Sequence, residues 1–465
     1  MQFIENRTFD EIQVGESAEL VRTLGTDDID LFAVMSGDVN PAHVDPEYAR
    51  SSLFHGVIAH GMWGGALIST VLGTELPGPG TIYVGQSLAF HRPVAVGDVI
   101  TVRVTVKSKD PARRHVVLDC CCLNVAGETV ISGEAEVVAP AEKIRRPRAE
   151  LPEVHLHRPG RAYERLMELA RPLDPIRTAV VHPCDANSLE GALEARRLGL
   201  IEPILVGPVQ KILATAAEAG LDLQDVELVD TPHSHAAAER AVRLIREGKA
   251  EALMKGALHT DEVMAAVVDH ACGLRTERRM SHVFALDVPS YPKPLFVTDA
   301  AINIAPDLQT KADIVQNAID LVRAVGITEP RVAILAAVET VNPKMPSTLD
   351  ASALCKMADR GQITGGLLEG PLAFDNAVSR HAAAAKHIVS PVAGDADILI
   401  APDLEAGNMI AKQLMYLAGA EAAGIVLGAR VPVMLTSRAD GPLARAASAA
   451  LALLFVRSGG QAAIG

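Results

Sequence analysis

Aromatic residues are scarce: one Trp, five Tyr and nine Phe, 3% of 465 residues. Hydrophobic residues still reach 49%, so Ala, Gly and the aliphatics must build the cores, and small side chains suit helices packed closely on sheets. Basic residues are outnumbered, 43 Lys and Arg against 57 Asp and Glu, for a formal charge of −14. That balance argues against nucleic acid or an anionic membrane as main partner, though it leaves room for local phosphate pockets. Long apolar runs are missing. The purest near the end, Ala446 to Val456, has eleven residues counting Ser448, too short to span a bilayer. The opening Met1-Gln2-Phe3-Ile4-Glu5 lacks the basic and apolar regions of a signal peptide, so a cytoplasmic location is expected. The six Cys show no C-x-x-C spacing. Cys120, Cys121 and Cys122 are consecutive, and on a strand they alternate between faces, so they cannot converge on a metal. Short-period repeats and low-complexity tracts are absent.

What is present divides into regions of different period. At about 150 residues per domain, the length predicts two to three domains. Thr81 to Val138 reads as strands: Ile100 to Val106 alternates, with Thr101, Arg103 and Thr105 on one face, and Gly127 marks the turn between the later runs. Gly133, inside the last run, suggests a bulge. His60 to Leu72 is Gly-rich and apolar and predicts a helix that a sheet can wrap closely. These features predict an α+β domain over 1–140, with an antiparallel sheet around a central helix. Pro140, Pro147, Pro152 and Pro159, with Lys143, Arg145, Arg146 and Arg148, mark a linker over 141–160. Its basic cluster reads as a solvated connector, or alternatively as a phosphate contact. From Thr178 strands alternate with helices, and Asn187-Ser-Leu-Glu190 resembles a capping box. Over 161–465 this predicts a large α/β domain with a mostly parallel sheet, in two lobes with a cleft.

Two constellations carry chemistry. In Ser36-Gly37-Asp38-Val39-Asn40-Pro41-Ala42-His43, a Pro-containing turn can aim the Asp38 carboxylate and the His43 imidazole at one water. Asn40 and Pro41 fix such a turn. Together with Ala49 and Ala59-His60-Gly61-Met62, this stretch resembles the hydratase-2 motif of MaoC-like dehydratases, hotdog-fold (R)-specific enoyl-CoA hydratases. Ile82 to Leu88 and Arg92-Pro-Val-x-Val-Gly-Asp98 extend the similarity over Phe9 to Val138. The resemblance implies that Asp38 and His43 activate water and that Gly61 offers its N–H to the thioester oxygen. It also implies that Asn40 steadies the loop and that Ser69 orients the site from the helix. His60 is read as shaping the turn.

The second constellation follows predicted strands, where open α/β sheets place ligands. It comprises Lys255-Gly256-Ala257-Leu258-His259-Thr260, Thr298 to Asn303, Glu369 to Asp375 and Thr436-Ser437-Arg438-Ala439-Asp440. Gly admits backbone near phosphate, Lys and Arg supply charge, and a carboxylate near Arg438 can stay ionised as a base. With Pro402 to Asn408 and Ala423 to Ala429, the set resembles the phosphate acetyl/butyryltransferase family from about Ala162 onward. The resemblance implies Ser437 and Arg438 on the acyl and phosphate oxygens and Asp440 as the base toward the CoA thiol. Lys255, Thr260, Arg275 and Asn303 are further pocket candidates. Many acetyltransferases carry the catalytic Asp seven residues after the Ser, where this chain has Ala444. The Ser-Arg-x-Asp form, and Leu274-Arg275-Thr276 through Val283, resemble the butyryltransferase branch.

The joint expectation is a bifunctional acyl-CoA enzyme. It hydrates 2-enoyl-CoA reversibly and exchanges CoA for phosphate, with CoA thioesters and phosphate as substrates and no tightly bound cofactor or metal. Resemblance further implies a homo-oligomer. The alternative is a hydratase whose C-terminal domain only senses acyl-CoA or oligomerises.

Overall fold

The computed structural model describes residues 3–149, 154, 156, 161–435 and 441–460. It separates into two compact units, Met1–Leu156 and His157–Gly465.

In the first unit the strands are β1 (Phe3–Glu5), β2 (Ser17–Thr23), β3 (Ile82–Phe90), β4 (Val99–Asp110), β5 (His115–Leu123), β6 (Thr129–Val138) and β7 (Arg145–Pro147). The helices are α1 (Thr26–Ser36), α2 (Pro41–Val44), α3 (Pro46–Ser51) and α4 (Gly61–Thr74). Five strands form an antiparallel sheet in the order β2-β4-β5-β6-β3. Ile100, Val102, Val104 and Val106 are buried by strict alternation and pack with Ile68, Val71 and Leu72 of α4 in one core. Gly64 lets that helix approach: a Cβ there would sit 2.3 Å from the Ile131 Cδ1. Gly133 marks no bulge. It pairs in register with Leu88 and Cys120, and a Cβ would lie 1.9 Å from the Ser87 carbonyl oxygen, so it is there for a close approach of backbones. Cys120 and Cys122 point inward and Cys121 does not; burial pushes the Cys120 thiol to about 11 and the Cys122 thiol to about 12.

Part of the segment read as linker is structured. Its residues Arg145–Pro147 form β7, paired antiparallel with β1. Lys143 donates to the Asn6 carbonyl at 2.7 Å and to Glu11 at 2.9 Å, so this cation anchors the ribbon to its own unit.

The second unit contains β8 (Ile176–Val181), β9 (Ile201–Gly207), β10 (Glu227–Asp230), β11 (Ala252–Lys255), β12 (Ser281–Asp287) and β13 (Leu295–Thr298). They are followed by β14 (Arg331–Leu335), β15 (Leu367–Leu372), β16 (Ile398–Ile400), β17 (Glu421–Leu427) and β18 (Val433–Met434). The two expected lobes share a single eleven-stranded sheet, in the order β10-β9-β8-β11-β18-β17-β12-β13-β16-β14-β15. It is mostly parallel, but β17 and β12 run antiparallel to their neighbours where two halves of opposite direction meet. Helices cover both faces. Val180 enters the core beneath helices Ala186–Arg197, Leu308–Ala324 and Pro442–Arg457, whereas Ala179 and Val181 enter the one beneath Ser234–Arg246 and Thr260–Val268. The helix read from Asn187 starts at Ala186, capped by Asp185, whose carboxylate accepts the Ser188 N–H at 2.7 Å. Glu369 to Leu372, read as a loop, lie in the edge strand β15, where Pro371 is tolerated. No described helix is long and apolar enough to cross a membrane.

Candidate functional site

In the first unit the turn after α1 is held by its own side chains. Ser36 Oγ donates to the Phe32 carbonyl and accepts the Asp38 N–H at 3.2 Å; the Asp38 carboxylate accepts the Asn40 N–H at 3.2 Å. Asn40 caps α2 by accepting the Ala42 N–H, and Pro41 opens the helix with a preset φ. His43, one turn on, therefore faces back toward Asp38. Nitrogen and oxygen atoms of Asp38, His43 and His60 lie within 4.8 Å of one another, short enough for one water to bridge the dyad.

Hydrogen bonding assigns the proton positions. His43 Nδ1 lies 2.9 Å from the Ile58 carbonyl, which only accepts, so Nδ1 carries the hydrogen and Nε2 keeps a lone pair. His60 Nε2 meets the Asp38 carbonyl at 3.0 Å in the same sense, and its Nδ1 is enclosed without a partner. Among the described residues these three are the one group of His, Cys and acidic side chains close enough for a metal ion. Each ring has already committed one nitrogen to a backbone carbonyl, and the remaining His60 nitrogen is walled in. The set therefore presents a water site better than an open ligand triad.

A cavity of about 320 Å³ adjoins this turn, lined by His43, His60 and Gly61 together with Phe90, Ile100, Cys122 and Ile131. Gly61 begins α4, so its N–H has no acceptor within the helix. A Cβ at Gly61 would meet the Phe90 ring at 3.0 Å. Ser69 does not join the site: it is exposed and absent from the cavity lining. Eight helical residues of about 100° each leave its side chain roughly 80° from the bearing of Gly61.

In the second unit, Ser437, Arg438 and Asp440 lie outside the described residues. The other candidates lie at or next to element ends, near residues Leu258, Leu274 and Ile302, which all join one apolar cluster. Lys255 ends β11 buried, with Nζ donating to the Gly256 and Leu258 carbonyls at 3.3 and 3.2 Å. Gly256 is required beside it, since a Cβ would be 2.4 Å from the Val181 carbonyl oxygen. Thr260 is the exposed first residue of its helix. Arg275 is exposed, its guanidinium 2.7 Å from the His270 ring nitrogen.

Asn303 is held firmly. Its Nδ2 donates to the Met280 carbonyl at 2.8 Å and to Asp299 at 2.6 Å. Asp299 is the organiser that sequence reasoning did not single out. Buried, it accepts the N–H groups of His282, Ala301, Ile302 and Asn303. Helix Leu404–Tyr416 supports the same loop: Asn408 donates to the Ala300 carbonyl, and a Cβ on Gly407 would lie 2.2 Å from the Asp299 carbonyl oxygen. His282, buried beside Asp299, has its pKa driven down to about 4 by burial, partly opposed by the neighbouring carboxylate. Gly424 makes room for its ring, at 2.8 Å from a notional Cβ.

These two sets of loops fit two known families. Residues 10–119 match the MaoC like domain and residues 233–452 match the phosphate acetyl/butaryl transferase domain. The chain belongs to the phosphate acetyl/butyryltransferase family through its second unit and carries a MaoC-like domain in its first. A phosphate acetyltransferase of Rhizobium meliloti is 64% identical over 293 residues, 63% of this chain and 93% of that protein. A branched-chain phosphotransacylase from Enterococcus faecalis is 29% identical with a TM-score of 0.53, over 60% of this chain and 99% of its own. An R-hydratase from Pseudomonas aeruginosa is 44% identical with a TM-score of 0.33, over 33% of this chain and 99% of its own.

Proposed function

We propose that the chain is a bifunctional acyl-CoA enzyme: an (R)-specific 2-enoyl-CoA hydratase followed by a phosphate acyltransferase. The observation that carries the first activity is the Asp38–His43 pair, within 4.8 Å of one another, beside a cavity that His43 and Gly61 line. Asp38 holds the water. As its oxygen bonds to C3 of the enoyl group, His43 Nε2 takes the released proton. Charge moves onto the thioester oxygen, where the Gly61 N–H stabilises the enolate. The imidazolium then returns the proton to C2, so one water is added and nothing is left over.

In the second unit, phosphate and CoA exchange on an acyl group. Phosphate oxygen bonds to the thioester carbon, the C–S bond breaks, and the thiolate takes up a proton. In reverse, Asp440 removes the proton of a thiol whose ordinary pKa is about 8.5. Ser437 and Arg438 bind the acyl and phosphate oxygens. The name of the Rhizobium relative supports acetyl as one acyl group. Substrate thioesters and phosphate suffice for both reactions.

The working form is a homo-oligomer. β3 is an edge strand of its sheet, yet Ile82 and Val84 on it are exposed, apolar surface that a second copy would cover.

Two assays on the full chain test these assignments: loss of enoyl absorbance with crotonyl-CoA, and phosphate-dependent release of CoA thiol from acetyl- and butyryl-CoA. Bound CoA without turnover in the second would instead favour a sensing domain.

A further inference from the structure

His60 has an environment that its place at the start of α4 does not explain. It occupies the N-cap position, yet its side chain makes no capping bond. The ring is buried, its centroid 4.9 Å from that of Phe32 in α1 and 4.1 Å from that of His43 in α2. Its Nε2–H donates to the Asp38 carbonyl. Its Nδ1 has no partner. Enclosing an unpartnered polar atom is unfavourable, and a phenyl ring would fill the same slot without that penalty. The imidazole is therefore retained for what its other nitrogen does. No other described donor reaches the Asp38 carbonyl, and no other ring lies against that of His43.

We infer that His60 is a positioning residue for hydration, acting through both members of the dyad at once. Its N–H fixes the peptide that aims the Asp38 carboxylate, and its face sets the plane of His43 so that Nε2 meets the shared water. It touches α1, the catalytic turn and α2 while beginning α4, so it ties the water site to the Gly61 N–H that receives the developing enolate. This role rests on the hydratase assignment above.

The test is steady-state hydration of crotonyl-CoA by the full chain and its variants. His60→Phe keeps a ring in the slot and removes the donor. It should lower kcat by about 10- to 100-fold, the scale of a slightly misplaced reacting group, with KM changed by less than about threefold. His60→Gln, whose amide nitrogen can stand where Nε2 stands, should recover kcat to within about fivefold of wild type. In an Asp38→Asn background, His60→Phe should cost almost nothing more, because the residue acts through the group already disabled. Fluorescence of Trp63, the sole Trp, reports whether each variant retains its fold. Three results would overturn the role: full activity in His60→Phe, a glutamine variant no better than phenylalanine, or fully additive losses in the double variant. A wild-type chain that hydrates no enoyl-CoA would instead overturn the hydratase assignment itself.

Discussion

Asp38 leaves its carboxylate exposed at the mouth of the turn, with one oxygen accepting the Asn40 N–H, a bond that the amide oxygen of an asparagine can also accept. An isosteric amide can thus replace the carboxylate without unfolding the turn. Asp38→Asn should therefore lower crotonyl-CoA hydration at least ~100-fold and leave the Trp63 fluorescence unfolding transition near wild type. His282 offers the opposite case, a titratable side chain enclosed away from water. Its folded pKa of about 4 lies below the ordinary 6.5, so the folded state binds the proton less readily than the unfolded chain. Stability from this residue is complete above about pH 6.5 and is lost as pH falls below it, because only the unfolded chain takes up the proton readily there. Thermal melts of the second unit between pH 7 and 4.5 should show a steeper loss for wild type than for His282→Asn; equal slopes would contradict the buried neutral ring. At this scale the motif residues were readable because turn chemistry is local: Asp38, Asn40 and His43 are five positions apart or fewer. Asp299 and His282 were not, because their meaning comes from a cross-strand pairing and from a glycine, Gly424, far along the chain.

Among the elements, α4 owes its close approach to β6, and β6 its close approach to β3, to glycines, and these act differently. Gly64 faces the tip of a flexible Ile131 side chain, whereas Gly133 faces the fixed Ser87 carbonyl. Rotamers can relieve the first crowding and not the second. Gly133→Ala should therefore destabilise the first unit by about 1–3 kcal/mol, read as a lower urea midpoint of Trp63 fluorescence. Gly85→Ala, in the same pair of strands with nothing within 4 Å of its Cβ, should change the midpoint little. Alternation made β4, β5 and β6 legible, and small residues announced α4. The ribbon of β1 with β7 was hidden because three-residue strands carry too little pattern, and prolines nearby suggest a linker. Pro371 concealed β15 for the same reason, since a proline argues against a strand until its edge position is known.

For the molecule as a whole, the dyad lies entirely within the first unit and every candidate transferase residue within the second. Asp38→Asn should leave phosphate-dependent release of CoA from acetyl-CoA within about twofold of wild type, and Ser437→Ala should abolish that release while sparing hydration. Mixing these two full-length variants tests coupling: flux from crotonyl-CoA to acyl phosphate equal to wild type at matched site concentrations would mean that the intermediate travels free in solution. The sequence disclosed both chemistries because each is concentrated in short stretches. It could not disclose that one sheet would unite the second unit, because β18 follows closely on β17 yet pairs with β11, a strand made far earlier in the chain. That pairing has a consequence for biogenesis. The strands that join the two halves are the last to be translated, so a nascent chain on the ribosome must carry two unfinished sheet edges until residues beyond Met434 have left the exit tunnel. The first unit, contiguous in sequence, can settle while the second is still being made; the second has to hold its two half-sheets apart until β17 and β18 emerge to close the gap.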